Sequence, residues 1–261
     1  MLLFLSFLAC GEKNEDTSVG EDTAVDTGTD TNDTNVDTND TNDTNDTNDT
    51  NVDTNVQNGL DALVAGDLII TEIMKNPCGI ISETPTVDAQ GNEYIDIQCT
   101  DPQIDDAAGE WFEIYNNTDG EVNLNGLMVS EADDGDSNTD EQEFMVTADV
   151  VIAPGAYLVI GNSDDVQVNG GVQVSFVFSS DAFGLANGDD EIVLSNANGI
   201  IDAVAFTDAA YPDVKGHSMA LSPSAMSDVD NDNGANWCST VGVTLGSGDF
   251  GTPGAANPAC E

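Results

Sequence analysis

The balance of charge is the feature that most constrains what this chain can fold into. Its 261 residues include 50 Asp and Glu but only three basic residues, the lysines Lys13, Lys75 and Lys215. A carboxylate that is buried without a partner costs several kcal/mol. Because arginine is absent, a buried acid here must rely on hydroxyl groups, backbone N–H groups, a metal ion or a proton.

The formal net charge of −47 excludes several classes of partner. Nucleic-acid binding and phosphoryl transfer depend on Lys or Arg contacts to phosphate, and an anionic membrane surface repels an acidic chain. Cations and basic macromolecules are the natural partners of such a surface.

The N-terminus carries an export signal. The apolar run MLLFLSFLAC (1–10) is too short to span a bilayer. Its ending, a small residue before Cys10, resembles a bacterial lipoprotein signal peptide, in which that cysteine is lipidated. Basic residues are missing from its start, and Phe7 replaces the usual Leu. An ordinary secretory signal is the alternative. We expect a lipid-anchored protein at the outer membrane or cell surface, or a secreted one.

A low-complexity spacer follows at residues 11–66. Its core, VDTNDTNDTNDTNDTNVDTN, repeats Asp-Thr-Asn and contains no aromatic residue. Such a sequence cannot bury enough apolar surface to offset the entropy of ordering, so it predicts a disordered acidic stalk of about 45 Å average reach. The alternative is a weak calcium-binding or O-glycosylated tract.

Residues 67–261 have the pattern of one all-β domain. Short apolar segments separated by turn residues predict strands at 67–74, 110–116, 122–130, 144–146, 150–152, 156–161, 174–178, 190–195, 200–206 and 217–221. The NANG segment between two of them predicts a hairpin turn. Short strands at this spacing indicate a β-sandwich.

Seven segments, in order, resemble the bacterial lamin-tail domain. They are ITEIMKNP (70–77), GEWFEIYNNTDGEVNLNGLMVS (109–130), VIAPGAYLVIGN (151–162), NGDDEIVLSNANGIIDAVAF (187–206), GHSMAL (216–221), NW (236–237) and GTPGAANP (251–258). The resemblance implies an immunoglobulin-like β-sandwich that is exported, with no established catalytic role. The segment 78–108 is longer than this connection usually is, and its EYIDIQC stretch suggests an extra strand.

Two glutamates, Glu72 and Glu113, match positions of these family motifs. Strand alternation places Thr71 and Glu72 on opposite faces. If the two strands are adjacent, the carboxylates must bind a cation, accept hydrogen bonds or take a proton. We expect backbone or hydroxyl donors that lower the carboxylate pKa, so that Glu113→Gln costs about 1–3 kcal/mol. Glu72, Glu113, Trp111 and Trp237 would then be framework residues.

One acidic loop has the spacing of a calcium site. In SDVDNDNGAN (227–236) the residues Asp228, Asp230 and Asp232 alternate as ligands do in calcium loops. Gly234 is one residue late for an EF-hand turn, and the twelfth position lacks Glu. We expect no cofactor, and Ca²⁺ bound at this loop is the alternative. The acidic loop 131–143 has the pattern of a solvated loop.

A hydrolase motif is nearly matched at GHSMA (216–220). Ala220 replaces the last glycine of G-x-S-x-G, and the all-β context differs from the strand–turn–helix that the motif requires. His217 is the only histidine, and consecutive strand residues such as His217 and Ser218 do not point at each other. We therefore predict no catalytic residue.

Four cysteines besides Cys10 fit two disulfides in an oxidising compartment. We predict the pairs Cys78–Cys99 and Cys238–Cys260, because each pair brackets one irregular segment.

These patterns together predict an exported, non-enzymatic binding or structural module at the cell envelope. Its partner would be a protein or a glycan at the cell surface. Nucleic acid is excluded, and the membrane is contacted only through the lipid anchor. The alternative is a hydrolase that holds Ca²⁺ or Mg²⁺ with its acidic clusters.

Overall fold

A computed structural model describes residues 57–100, 104–132 and 142–260. Cys10, the Asp-Thr-Asn repeat and most of the acidic loop 131–143 lie outside the described residues. The predictions of lipidation and of a disordered stalk therefore stay predictions.

The described residues form fifteen strands and little helix. The strands are β1 (Gln57–Asn58), β2 (Leu68–Met74), β3 (Ile80–Val87), β4 (Glu93–Cys99), β5 (Trp111–Asn116), β6 (Glu121–Asn123), β7 (Met128–Ser130), β8 (Glu143–Met145), β9 (Val151–Ile152), β10 (Tyr157–Gly161), β11 (Phe176–Val177), β12 (Asp190–Asn196), β13 (Gly199–Phe206), β14 (Met219–Leu221) and β15 (Trp237–Ser239). The helical elements are α1 (Asp106–Gly109) and the 3-10 turns Leu60–Ala62 and Gly234–Asn236. No helix within these ranges is long and apolar enough to cross a membrane.

Two sheets enclose the core, which confirms the predicted all-β sandwich. One sheet has the strand order β11-β10-β5-β2-β14-β15, and the other has the order β13-β12-β7-β8. Apolar side chains from both meet in one buried cluster that includes Phe112, Ile114 and Leu194. Burial of this cluster supplies the main stabilising free energy of the fold.

The ten predicted strands are present, with two kinds of departure. The segment 122–130 is divided into β6 and β7 by a turn in which the Leu127 N–H donates to the Leu124 carbonyl. Gly126 has φ = +96° there, a conformation that favours glycine. The NANG hairpin joins β12 and β13 as predicted. EYIDIQC is a strand, β4, but its partner β3 is not visible in the apolar pattern, because Pro85 and a row of polar residues interrupt it.

A β-bulge in β2 overturns the alternation predicted for that strand. Ile70 is opposite Ile114 and Glu72 is opposite Glu113, so Thr71 is one extra residue between them. A bulge of this kind lets two consecutive side chains approach the same face of the sheet. The Thr71 hydroxyl reaches Glu113 from that position, although simple alternation places Thr71 away from Glu72 and the carboxylate opposite it.

The folded domain begins about ten residues before position 67, contrary to the predicted boundary. β1 pairs with β6, and Leu63 is buried in the core cluster, against which Leu60 packs. The Asn196 amide donates to the carbonyls of both leucines. Apart from Leu60 and Leu63 this stretch is mostly small or polar, so its composition groups it with the spacer.

Both predicted disulfides are present. Cys78 is bonded to Cys99, and Cys238 to Cys260. The first closes the base of the β3–β4 hairpin, and the second ties the C-terminal residues to β15.

We predict that a deletion of 11–56 leaves the melting temperature of the domain within about 2 °C of the full chain, because that segment has too few apolar residues to contribute to a core. A longer deletion of 11–66 also removes Leu60 and Leu63, so it should destabilise by about 2–5 kcal/mol, as the loss of a buried leucine does. Thermal unfolding followed by circular dichroism compares the two. Equal losses in both would show that the repeat itself packs on the domain.

Candidate functional site

The most unusual feature of the sandwich is a pair of buried glutamates on adjacent strands. Glu72 of β2 lies directly opposite Glu113 of β5, and both are fully buried. Thr71, in the bulge, donates its hydroxyl to Glu113 Oε1 at 2.7 Å. The condition set by the sequence analysis, that the two strands are adjacent, is met by the strand register. We call Glu72 and Glu113 the carboxyl pair.

Glu72 is surrounded by hydroxyl and backbone donors. Its Oε1 accepts from Ser218 Oγ at 2.5 Å and from the Thr252 N–H at 2.8 Å, and Thr240 Oγ1 lies at 3.4 Å. The Thr252 hydroxyl donates to Oε2 at 3.0 Å. These donors come from the residue before β14, from the residue after β15 and from the C-terminal region. The carboxyl group therefore joins three separate parts of the chain.

Residues 251–258, which we call the C-terminal strap, close over the carboxyl pair. The Gly254 N–H donates to Glu113 Oε2 at 2.6 Å. The Asn257 amide donates to the carbonyls of Thr71 and Leu221. A Cβ at Gly251 would lie 3.2 Å from Trp111 and 3.3 Å from Glu72 Oε1, so glycine permits this close approach. The strap covers both carboxyl groups and the indole of Trp111.

The two tryptophans named as framework residues have different surroundings. Trp111 lies in a second apolar cluster with Met74, Val159 and Val172, on the side of the sheet away from the main core. Trp237 belongs to the main core, and its indole N–H donates to the Asn231 carbonyl at 2.7 Å. That contact attaches the loop 227–236 to the core.

Burial raises the pKa of Glu113 to about 8, and the charge of Glu72 adds to the rise, against the lowering effect of the Thr71 and Gly254 donors. Burial also raises the pKa of Glu72, which its four hydrogen bonds oppose. The expected lowering of the pKa by backbone donors is therefore wrong in its net direction. The structure combines two of the three alternatives, hydrogen-bond donors and a proton.

Asp202 of β13 makes a second buried carboxyl site that sequence patterns missed. Its Oδ2 accepts from the Ile70 N–H at 2.6 Å and from the Asn231 amide at 2.8 Å. Burial raises the pKa of Asp202 to about 7. Asp202 thereby connects the second sheet to β2, just before the bulge, and to the loop 227–236. In IIDAVAF it has the appearance of one polar residue on an ordinary strand.

The three candidate calcium ligands lie on the loop between β14 and β15. Asp230 accepts from the Ser227 hydroxyl at 2.9 Å, and its own N–H donates back to that oxygen. Burial, and then the charge of Asp228, raises the pKa of Asp232. Across the described ranges, no group of three or more His, Cys, Asp or Glu side chains is placed to hold a metal ion. Asp230 instead stabilises a local turn, and calcium binding stays a prediction.

Ser218 and His217 do not form a nucleophile–base pair. The Ser218 hydroxyl contacts Glu72 and the Thr240 hydroxyl. His217 directs Nδ1 to the Thr240 carbonyl at 2.7 Å and Nε2 to Glu83 Oε1 at 2.8 Å. A serine nucleophile needs an imidazole within hydrogen-bond reach. Both residues instead hold strands together.

Two further charged residues were not singled out by the sequence patterns. Lys75 is buried, and its ammonium group donates to Asp208 at 2.8 Å and to the Gly188 carbonyl at 3.2 Å. Glu110 accepts from the Leu185 N–H, and burial raises its pKa to about 8, with added repulsion from acids such as Asp106. In both cases a buried ionisable side chain makes hydrogen bonds that hold a neighbouring loop against the strand.

These contacts define a class of protein: an all-β sandwich in which the carboxyl groups of Glu72 and Glu113 accept hydrogen bonds from the chain's own hydroxyl and backbone donors. The family model for the Lamin Tail Domain matches residues 61–208, and the chain belongs to this family. The matched range ends before Ser218, Thr240 and the strap residue Thr252, which supply the donors to Glu72.

A solved structure provides a distant comparison. A DUF4876 family protein from Bacteroides thetaiotaomicron VPI-5482 is 13% identical, with a TM-score of 0.35, over 60% of this chain and 63% of that one. The chain thus spans somewhat less than two thirds of the length of that protein. No curated protein matches the chain.

We predict that the domain loses stability as the pH rises from about 5 to 8.5. Glu113, Glu110 and Asp202 have raised pKa values in the folded state, so the folded protein binds more protons than the unfolded chain across this range. Each such group changes the stability by about 1.4 kcal/mol per pH unit between its unfolded and folded pKa. Urea unfolding at several pH values measures the slope.

Added salt separates this effect from surface repulsion. Repulsion between exposed charges is screened at about 0.5 M salt, whereas buried carboxyl groups are screened much less. The pH slope should therefore persist in high salt. A slope that vanishes in salt would assign it to the surface acids and contradict protonation of the buried groups.

We predict that Glu113→Gln has opposite effects at low and high pH. At pH 6 the protonated carboxyl group resembles the amide, so the substitution should cost less than about 1.5 kcal/mol, the net value of one hydrogen bond. At pH 9, above the pKa of Glu113, the wild type carries a buried charge at this position that the variant avoids, so the variant should be the more stable protein. The matched control is Glu93→Gln on the exposed hairpin. A constant loss of about 1–3 kcal/mol at both pH values would restore the ionised-framework interpretation.

Proposed function

We propose that the protein is an exported, lipid-anchored and non-enzymatic module that presents its lamin tail domain at the cell envelope. The observation that carries this proposal is the N-terminal run MLLFLSFLAC, which ends in a small residue and Cys10. Lipidation of Cys10 would tether the chain, and the acidic repeat would separate the domain from the membrane by about 40 Å on average. The two disulfides are consistent with an oxidising compartment.

The buried acids support a structural role better than a hydrolytic one. A metal-dependent hydrolase needs carboxylates that converge on an open cavity where water can bind. Glu72 and Glu113 instead accept from the chain's own donors and lie beneath the C-terminal strap. We therefore favour a module that binds a protein or glycan at the cell surface over the hydrolase alternative.

We predict that Cys10→Ala releases the protein from the membrane fraction. The test expresses the full chain in a bacterium that processes lipoproteins and follows incorporation of labelled palmitate and partitioning into detergent. The wild type should be labelled and enter the detergent phase, because a lipidated cysteine carries the acyl chains. Cys10→Ala should lose both properties, and Ser6→Ala, the control, should keep them.

N-terminal sequencing of the mature protein gives a second readout. A blocked N-terminus at Cys10 agrees with the proposal. A free N-terminus further along the chain, together with an unlabelled wild type in the aqueous phase, would assign an ordinary secretory signal instead.

A further inference from the structure

The β3–β4 hairpin forms a two-stranded sheet separate from both sheets of the sandwich. It exposes four large apolar side chains: Ile81 is 67% exposed, Val87 58%, Tyr94 48% and Ile95 50%. A shallow depression of about 360 Å³ lies at its distal half, bounded by Pro85, Thr86, Val87, Glu93, Tyr94 and Ile95. Val87, Pro85 and Ile95 are neighbours on one face of this half, and Tyr94 lies on the other face. Exposed apolar residues that are neighbours mark interaction surfaces more often than scattered ones do.

The base of the hairpin is firmly attached to the domain. Asp249 accepts from three consecutive N–H groups, those of Cys78, Gly79 and Ile80. The Cys78–Cys99 disulfide closes the two strands at the same end. Further along β3, Glu83 contacts His217 Nε2 at 2.8 Å. The apolar residues are therefore presented on an arm with a fixed base, which reduces the entropy that a partner must overcome.

The two free edges of the hairpin differ. β3 carries Pro85, which has no N–H and lies opposite Ile95 in the register. Residues in an antiparallel ladder alternate between pairs that exchange N–H···O bonds and pairs that do not, and proline suits the second kind. Ile95 then directs its N–H and C=O away from β3. No other strand of the described residues pairs with β4, so this edge is the one competent to accept another strand.

The charge of the hairpin indicates which kind of segment can bind at the β4 edge. Residues 79–99 contain Glu83, Asp88, Glu93 and Asp96 and no Lys or Arg. A second copy of this chain would bring the same acids to the edge, and like charges directly opposite each other in a sheet are destabilising. Glu93 and Ile95 lie on one face of the hairpin, and Tyr94 and Asp96 lie on the other. An extended segment with the repeat basic-apolar-apolar-basic therefore places a basic side chain beside each carboxylate and an apolar one beside Tyr94 and Ile95.

We propose that the free edge of β4 docks a basic, extended segment of a partner protein by strand addition. Backbone hydrogen bonds would supply the register, apolar contacts with the hairpin the affinity, and Glu93 and Asp96 the preference for basic side chains. The proposal rests on the proposed function as a binding module and names its partner class and surface. It does not depend on the lipid anchor, so failure of the Cys10 experiment leaves it intact.

The test titrates the full chain with a fluorescent peptide that repeats Lys-Val-Val-Lys, and measures anisotropy and amide hydrogen exchange. A peptide with the same composition in two blocks, Lys then Val, controls for non-specific attraction to the acidic chain. The repeat peptide should bind at least about tenfold more tightly, equivalent to about 1.4 kcal/mol. It should also slow exchange in β4, because strand addition protects the edge N–H groups.

Variants locate the binding to the edge. The double variant Glu93→Lys/Asp96→Lys should weaken binding about tenfold or more, whereas Asp119→Lys/Asp164→Lys, the same charge change at exposed sites away from the hairpin, should have a much smaller effect. Ile95→Pro removes the edge N–H while the disulfide retains the hairpin, and it should abolish the protection of β4. Circular dichroism checks that each variant is folded.

Three outcomes would overturn the proposal. Equal losses in the two charge variants would show general electrostatic attraction. Unchanged binding by Ile95→Pro would exclude strand addition at this edge. A concentration-dependent dimer of the chain alone that Ile95→Pro dissolves would identify a second copy as the occupant. Each outcome leaves the lipid-anchored module of the proposed function untouched.

Discussion

The rest of the structure depends on how a chain without arginine satisfies buried carboxyl groups. At Glu72 the hydrogen-bond donors are the hydroxyl groups of Ser218, Thr240 and the strap residue Thr252. At Glu113 the donors are the hydroxyl group of Thr71 in the bulge and the N–H of Gly254 in the strap. Such neutral donors stabilise a carboxylate less than a guanidinium does, so desolvation prevails and the pKa rises. Where other proteins neutralise a buried carboxylate with arginine, burial here favours the neutral form of the carboxyl group.

Because the donors come from distant parts of the chain, the carboxyl pair acts as a junction. The strap reaches β2 and β5 from roughly 140 to 190 positions further along the sequence. The disulfide between Cys238 and Cys260 brings the strap close to β15, which reduces the entropy lost when it docks. The bulge at Thr71, the glycine at position 251 and the strap form one arrangement.

Sequence patterns predicted the parts of this arrangement that are local. Apolar alternation located the strands, and the even cysteine count with local pairing predicted both disulfides. The patterns identified Glu72 and Glu113 as groups that would meet if their strands were adjacent, and the register of β2 and β5 supplies that adjacency. The patterns failed where the determining contact is non-local. The bulge at Thr71 is invisible to a period of two, and the buried partner of Asp202, Asn231, lies 29 residues away in a loop.

The same limit explains the two errors of segmentation. Leu60 and Leu63 are isolated apolar residues within a polar stretch, so only their packing against the core shows that the domain has begun. β3 has no apolar alternation because neither of its faces packs on the core. The strand is stabilised instead by its pairing with β4 and by the hydrogen bonds of its first residues to Asp249. A run of apolar residues indicates a buried segment, so a strand that is exposed is hard to recognise from its composition.

The acids of this chain thus fall into two populations with different physical roles. Those inside the sandwich are drawn towards the neutral form and hold strands and loops together, as Glu113 and Asp202 show. Those outside remain hydrated and give the surface its strong negative field, which attracts basic partners without regard to position. The negative electrostatic field alone cannot determine where a partner binds. Selection requires a place where exposed apolar side chains and unpaired backbone groups coincide with that field, and the β4 edge of the hairpin combines the three.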